Sequence, residues 1–124
     1  GRTTGREEIV RACVESIAYQ IRDVVDAMGA DAGICPESLR VDGGPTKNTY
    51  LMQFQSDMLG SEVLVSDSEE MSAIGAACAA GIVLGILPAD VTEQIKRTAY
   101  HPQMDEELRI KKWNGWKRAV VSIL

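Results

Sequence analysis

The chain has 124 residues, 45% hydrophobic and 25% charged, which is one globular domain's worth of sequence able to bury a modest core. With 18 acidic against 13 basic side chains the formal net charge is -5, which argues against an electropositive nucleic-acid or anionic-membrane surface. The longest apolar stretch, Ala73 to Leu87, is interrupted by glycines and too short to span a bilayer.

No charged-then-apolar leader opens the sequence, so a cytoplasmic location is expected. Cys13, Cys35 and Cys78 lie far apart without C-x-x-C spacing. They read as small buried side chains of a reducing compartment, not as disulfides or metal ligands.

In chain order, Thr4-Gly5-Arg6-Glu7 fits a capping box with Thr4 as the cap. Ile9, Cys13, Ile17, Ile21, Val24 and Met28 then recur at three- and four-residue steps, which predicts a long helix with one wide apolar face. Val10, Val14 and Val25 broaden that face, so the helix is expected to be covered on more than one side, and Gly29 is placed to end it.

A loop with Gly33 and Pro36 leads to Leu39–Val41, a short run without polar alternation, as in a buried parallel strand. Gly43-Gly44 forms a turn, and Thr46 is placed to cap a second helix bearing Leu51, Phe54 and Met58 on one face, closed by Gly60. Glu62–Val65 is a second strand, and the resulting β-α-β unit implies parallel strands with a right-handed crossover.

Asp67 and Glu70 suit a further capping box, and the third helix spans about Met71 to Leu84. Its Ala-rich sequence carries Gly75 and Gly81, each costing about 1 kcal/mol relative to Ala. That cost implies close backbone approach to a sheet or ligand, although tight packing alone explains it more simply.

Asp90 is placed to cap a short helix through Ile95, Thr98–Pro102 is extended, and a last helix from Asp105 aligns Leu108, Trp113, Trp116, Val120 and Leu124. The tryptophans read as packing anchors. Two strands make a poor sheet on their own, which suggests an incomplete domain or pairing with another copy.

The Gly-Gly turn is the candidate ligand site, because a strand feeding a helix through bare backbone presents amides at the positive end of a helix dipole. It matches neither a Walker loop nor a dinucleotide fingerprint, and a Gly-Gly pair after a strand is more often a plain tight turn. Asn48, placed in the first helical turn, has an amide able to read a base edge or to bond the helix start. Lys47 can meet a phosphate or stay solvated, and Asp42 can order a water or simply hold the turn.

No nucleophile-base-acid set is present. His101 lies far from the turn in sequence, and the acidic cluster Asp67, Glu69, Glu70 coincides with a helix start, where acids favour the dipole.

Taken together, Glu15-Ser16-Ile17-Ala18-Tyr19-Gln20-Ile21-Arg22-Asp23-Val24, Leu39-Arg40-Val41-Asp42-Gly43-Gly44, Leu51-Met52-Gln53-Phe54-Gln55-Ser56-Asp57, Ala73-Ile74-Gly75-Ala76-Ala77 with Ala80-Gly81, and Gly115-Trp116-Lys117 resemble the C-terminal part of the FGGY carbohydrate kinases. The E-S-I-A-Y-Q and M-Q-F-Q-S-D runs favour its glycerol-phosphorylating members.

The resemblance implies an α/β chain, part of a ribonuclease-H-like, actin-like ATPase domain, with parallel strands and C-terminal helices. Residues 1–124 would form the C-terminal part of the second kinase domain, the upstream strands and the first domain being absent. It implies ATP as phosphate donor and glycerol or a related polyol as acceptor, with Mg²⁺ bound mainly by parts outside this chain. Gly43, Gly44 and Asn48 would hold the adenosine, and no catalytic residue would lie in this segment, which alone would be inactive.

Pro45, Lys47 and Thr49 depart from the small residues and second asparagine common in the family. Another FGGY substrate, such as a pentulose, and a stand-alone nucleotide-sensing or interaction module are the alternatives. Missing strands would leave apolar surface open, so a homo-oligomer is expected, with no nucleic-acid or membrane partner.

Overall fold

In the computed structural model, residues 4–68 and 70–123 are described. The long helix α1 (Arg6–Ala32) is followed by β1 (Ser38–Val41), a 3₁₀ turn (Gly44–Lys47), α2 (Thr49–Leu59) and β2 (Glu62–Ser66). Then come α3 (Met71–Val83), a second 3₁₀ turn (Val91–Gln94), β3 (Arg97–Tyr100) and α4 (Glu106–Val121).

The sheet has the order β1-β2-β3, with β1 and β2 parallel as the crossover requires. The sequence pattern showed an extended segment near Thr98 but not its pairing: β3 runs antiparallel to β2, with Val63 opposite Tyr100 and Val65 opposite Thr98. The sheet is therefore mixed and three-stranded, which supplies the extra strand that a two-stranded ribbon lacks.

α2 is the centre of the core. Leu51, Met52, Phe54 and Met58 are buried and meet Val63 and Val65 of β2 and Ala18 of α1, each large side chain stabilising the fold by about 2 kcal/mol. This is the apolar face the periodicity indicated, widened by Met52. The polar residues of the same helix tie down the chain after β3. Ser56 Oγ donates to the Tyr100 carbonyl at 2.9 Å, and Asp57 Oδ1 accepts from the backbone N–H of Gln103 at 2.7 Å and Met104 at 3.1 Å.

Helix ends differ from the sequence expectations in instructive ways. The α1 cap sits one residue later: the Glu8 carboxylate reaches back to the Gly5 N–H at 2.8 Å, in place of Glu7 to Thr4. α1 also runs past Gly29 and stops at Gly33, whose φ of 68° lies in the left-handed region. Gly29 serves close approach: a Cβ there would come within 2.9 Å of the Ile34 carbonyl as the chain folds back.

α2 is capped by Asn48 and not by Thr46, because the 3₁₀ turn occupies the intervening residues. The Asp67/Glu70 box does not form; Asp67 Oδ1 accepts from Thr98 Oγ1 at 3.2 Å and Glu70 stands at the N-cap without a side-chain bond. Leu84 is the C-cap of α3, and Asp90 precedes the second 3₁₀ turn without capping it through its side chain. Asp105 does cap α4, accepting from the Leu108 N–H at 2.9 Å.

The largest difference concerns α1. Its apolar stripe of Ile9, Ile17, Val24 and Met28 is exposed, and Val10 with it. The face turned to the body carries Val14, Glu15, Ala18, Tyr19 and Arg22 instead. α2 and α4 bring Tyr50, Lys112 and the tryptophans to that side, so polar and aromatic partners select it.

Trp116 stacks on Tyr19 with centroids 5.2 Å apart and donates from Nε1 to Asp23 at 2.8 Å, while the Arg22 guanidinium lies 4.3 Å from the centre of the Trp113 ring. The tryptophans are anchors, as expected. Leu108 is exposed, and Leu124 lies outside the described residues.

α3 exposes most of its alanines. Gly81 admits the Leu87 side chain, which a Cβ would meet at 2.5 Å, whereas nothing approaches Gly75. Cys78 is buried as expected, but Cys13 and Cys35 are exposed because they lie on the open side of α1 and in the loop after it.

Candidate functional site

The turn after β1 is set by one glycine in particular. Gly43 has φ 97° and ψ 174°, a region that only glycine occupies without strain. Its carbonyl then accepts from both the Thr46 N–H at 3.1 Å and Thr46 Oγ1 at 2.7 Å, closing the 3₁₀ turn. Pro45, pre-set for a first helical position, fits there without losing a needed N–H.

Gly44 is different. No positive φ requires glycine there, and a Cβ would meet nothing within 4 Å. Among the described residues no contact explains the missing side chain.

Asn48 ends the 3₁₀ turn and begins α2. Its Oδ1 accepts from the Leu51 N–H at 3.1 Å, so one face of the amide is spent on capping. That commitment leaves Nδ2 as the group able to donate outward from the positive end of the α2 dipole.

The turn is a ridge between two depressions. On one side a hollow of about 250 Å³ is lined by Gly43, Thr46 and Lys47 with Ser66, Asp67 and Thr98, at the carboxyl ends of β1 and β2. On the other, a groove of about 590 Å³ runs between the starts of α1 and α2, lined by Asn48, Tyr50, Val10, Arg11 and Val14. Gly43 and Asn48 thus line different hollows.

Asp42 is exposed and opens to a third hollow shared with Arg40, Leu64 and Met71. His101 sits at the opposite end of the sheet, with Nδ1 3.4 Å from Glu62. Of the acidic cluster, Glu69 lies outside the described residues and Asp67 lines the smaller hollow.

Residues that the sequence reading did not single out surround the larger groove. Glu15 is only 8% exposed, and its carboxylate accepts from Tyr50 Oη at 2.5 Å, Arg11 Nε at 2.6 Å and Lys112 Nζ at 3.5 Å. Burial by itself pushes the Glu15 carboxyl up, but the Tyr50 and Arg11 hydrogen bonds and the Lys112 charge outweigh it and hold the carboxyl below its ordinary value. The Tyr50 phenol is pushed up by burial and by donating to Glu15. Tyr19, half-buried nearby, is raised to about 12 by that burial and by the Glu15 charge. Only the Arg11/Glu15 spacing of four was a local signal of this cluster.

Residues 1–84 match the FGGY family of carbohydrate kinases, C-terminal domain. The chain is 45% identical over 122 residues to the glycerol kinase of Staphylococcus epidermidis and 48% identical over 122 residues to that of Aliivibrio fischeri. Each match takes in 96% of this chain and 24% of the relative, so the chain spans about a quarter of the length of these proteins.

Among solved structures, the Plasmodium falciparum glycerol kinase with ADP superposes with a TM-score of 0.88 at 37% identity, over 98% of this chain and 25% of that one. The xylulose kinase of Rhodospirillum rubrum reaches 0.81 at 24% identity, over 99% of this chain and 26% of its own, which shows the shared fold alone. The α/β architecture expected from the resemblance is the one shared with these kinases, and the antiparallel β3 is what the expectation lacked. The chain belongs to the FGGY family of carbohydrate kinases.

Proposed function

We propose that this chain is the adenosine-side segment of an ATP-dependent kinase that phosphorylates glycerol, forming ADP and glycerol 3-phosphate, and that Gly43, Gly44 and Asn48 hold the nucleotide. The observation that carries the reading is the turn itself. It joins a glycine-only backbone at Gly43, a glycine at position 44 that no contact among the described residues requires, and at Asn48 an exposed amide whose Oδ1 serves the cap. A nucleotide needs such bare backbone and a helix start, and a closely similar structure is described with ADP.

In this reading the segment positions the nucleotide and supplies no catalytic base. Phosphoryl transfer depends largely on such positioning and on charge stabilisation. Among the described residues no three His, Cys, Asp or Glu side chains converge to hold an ion. Mg²⁺ would be held mainly by parts outside this chain and by the nucleotide's phosphates, and no residue here is assigned to it. Glycerol is preferred over a pentulose because the relatives at 45% and 48% identity are glycerol kinases.

The same reading places the protein in the cytoplasm without a nucleic-acid or membrane partner, and no helix among the described residues is long and apolar enough to cross a bilayer. Self-association through the exposed side of α1 is part of it, with Val24 and Met28 more than half exposed. A monodisperse monomer in light scattering would exclude that part.

The central test compares the 124-residue chain with the full-length protein that carries it. ATP-dependent formation of glycerol 3-phosphate is expected from the full-length protein only. Turnover by the isolated chain, or a full-length protein that phosphorylates only a pentulose, overturns the proposal.

A further inference from the structure

We propose that Glu15 is a positioning residue for the nucleotide groove: through Tyr50 and Arg11 it sets the gap between the starts of α1 and α2 into which Asn48 presents its amide. The inference rests on the nucleotide reading of Asn48 given above.

A buried carboxylate is an expensive way to join two helices. α1 and α2 already meet through Ala18, Leu51 and Phe54, and the ion pair with Arg11, whose side chain is 61% exposed, adds little net stability. What a carboxylate adds is a fixed geometry. Its oxygens receive donors from three elements: Arg11 of α1, Tyr50 of α2 and Lys112 of α4.

Two of those donors are also walls of the groove that contains Asn48. Tyr50 lies only two residues beyond Asn48 in the first turn of α2, stacks on Phe54 with centroids 6.1 Å apart, and has the Arg11 guanidinium 5.8 Å from its ring centre. Arg11 and Tyr50 therefore form one layer along the groove, held from behind by Glu15. Without that hold, Tyr50 is free to swing and the α2 start loses its lateral reference to α1. Stacking and hydrogen-bond geometry at the Asn48 amide would loosen, while parts of the protein that act on the transferred phosphate would be untouched.

The test uses the full-length protein with ATP and glycerol as substrates. Glu15→Gln keeps the shape but places an amide N–H against a donor. Tyr50→Phe keeps the ring and its stacking but removes the hydroxyl. Each is expected to raise KM for ATP by about five- to tenfold, with kcat and KM for glycerol changed less than about twofold. Because both break the same tie, the double variant should be no more than about twofold worse than either single one.

A merely structural Glu15 predicts something else: a lower melting temperature with all kinetic parameters shifting together, or single effects that multiply. Either result overturns the proposal, as does an unchanged KM for ATP in Tyr50→Phe, which remains decisive if Glu15→Gln fails to fold. Asn48→Asp serves as the separate control. If it leaves nucleotide affinity unchanged, the nucleotide reading of the turn fails. If it weakens binding while Glu15→Gln and Tyr50→Phe do not, only the positioning role of Glu15 fails.

Discussion

Asn48 caps α2 through Oδ1 and is proposed to meet the nucleotide through Nδ2, and two substitutions separate these roles. Asn48→Ala removes both the Oδ1 that accepts from the Leu51 N–H at 3.1 Å and the Nδ2 donor. Loss of the cap costs about 1 kcal/mol of stability, which for a domain of this size lowers the melting temperature by about 4 °C. Loss of a neutral hydrogen bond to the base costs about 1 kcal/mol of binding, a roughly fivefold weaker nucleotide affinity.

Asn48→Asp keeps an acceptor for Leu51 and places a negative charge where the helix dipole favours it. Its melting temperature should match the parent within about 1 °C, while nucleotide affinity falls at least as far as in the alanine variant. Thermal unfolding of the 124-residue chain and calorimetric titration of the full-length protein with ATP read the two effects independently. Parental affinity in Asn48→Asp would refute the contact, and a stability loss equal to that of Asn48→Ala would refute the capping assignment.

The two adjacent glycines should also part company. Gly43→Ala forces a side chain into the φ 97°, ψ 174° region and is expected to cost about 2 kcal/mol in denaturant unfolding. Gly44→Ala meets nothing within 4 Å, so stability should hold while ATP affinity drops; an unchanged affinity would remove Gly44 from the site.

The Glu15 carboxyl is held below its ordinary value of 4.5 in the folded chain. A depressed folded value means its contribution is fully present above about pH 4.5 and is lost as pH falls through the folded value. Acid unfolding of Glu15→Gln should therefore be less steep below that pH, and curves of equal slope would contradict the assignment. Trp113→Ala, at a position 6% exposed against Arg22 and Tyr19, should cost about 3–5 kcal/mol. A smaller loss in chemical denaturation would mean that α4 is held mainly elsewhere.

Much of this architecture was readable from local pattern. The apolar spacing of Leu51, Phe54 and Met58 marked the buried face of α2 because helical period and burial coincide there. The Gly43-Gly44 pair marked the turn because a glycine-only backbone leaves its signature in a single residue. The start of the last helix at Asp105 and the stop at Gly60 followed from the same short-range rules.

Tertiary structure decided what depends on partners distant in sequence. Which face of α1 turns inward was not legible, since the apolar stripe of Ile17, Val24 and Met28 and the mixed face of Glu15, Ala18 and Tyr19 are both helical faces, and only α2 and α4 choose between them. The capping of α2 by Asn48 in place of Thr46 depended on where the 3₁₀ turn ended. β3 pairs antiparallel only because the chain returns beside β2 after α3.

The Glu15 cluster is the plainest case. Tyr50 lies 35 residues away and Lys112 lies 97 away, so periodicity along the chain cannot register them. Arg11, one turn earlier on α1, meets only part of the cost of burying this carboxylate; the rest is met by donors that the fold brings from other helices. Local chemistry placed the turn; long-range packing determined what surrounds it.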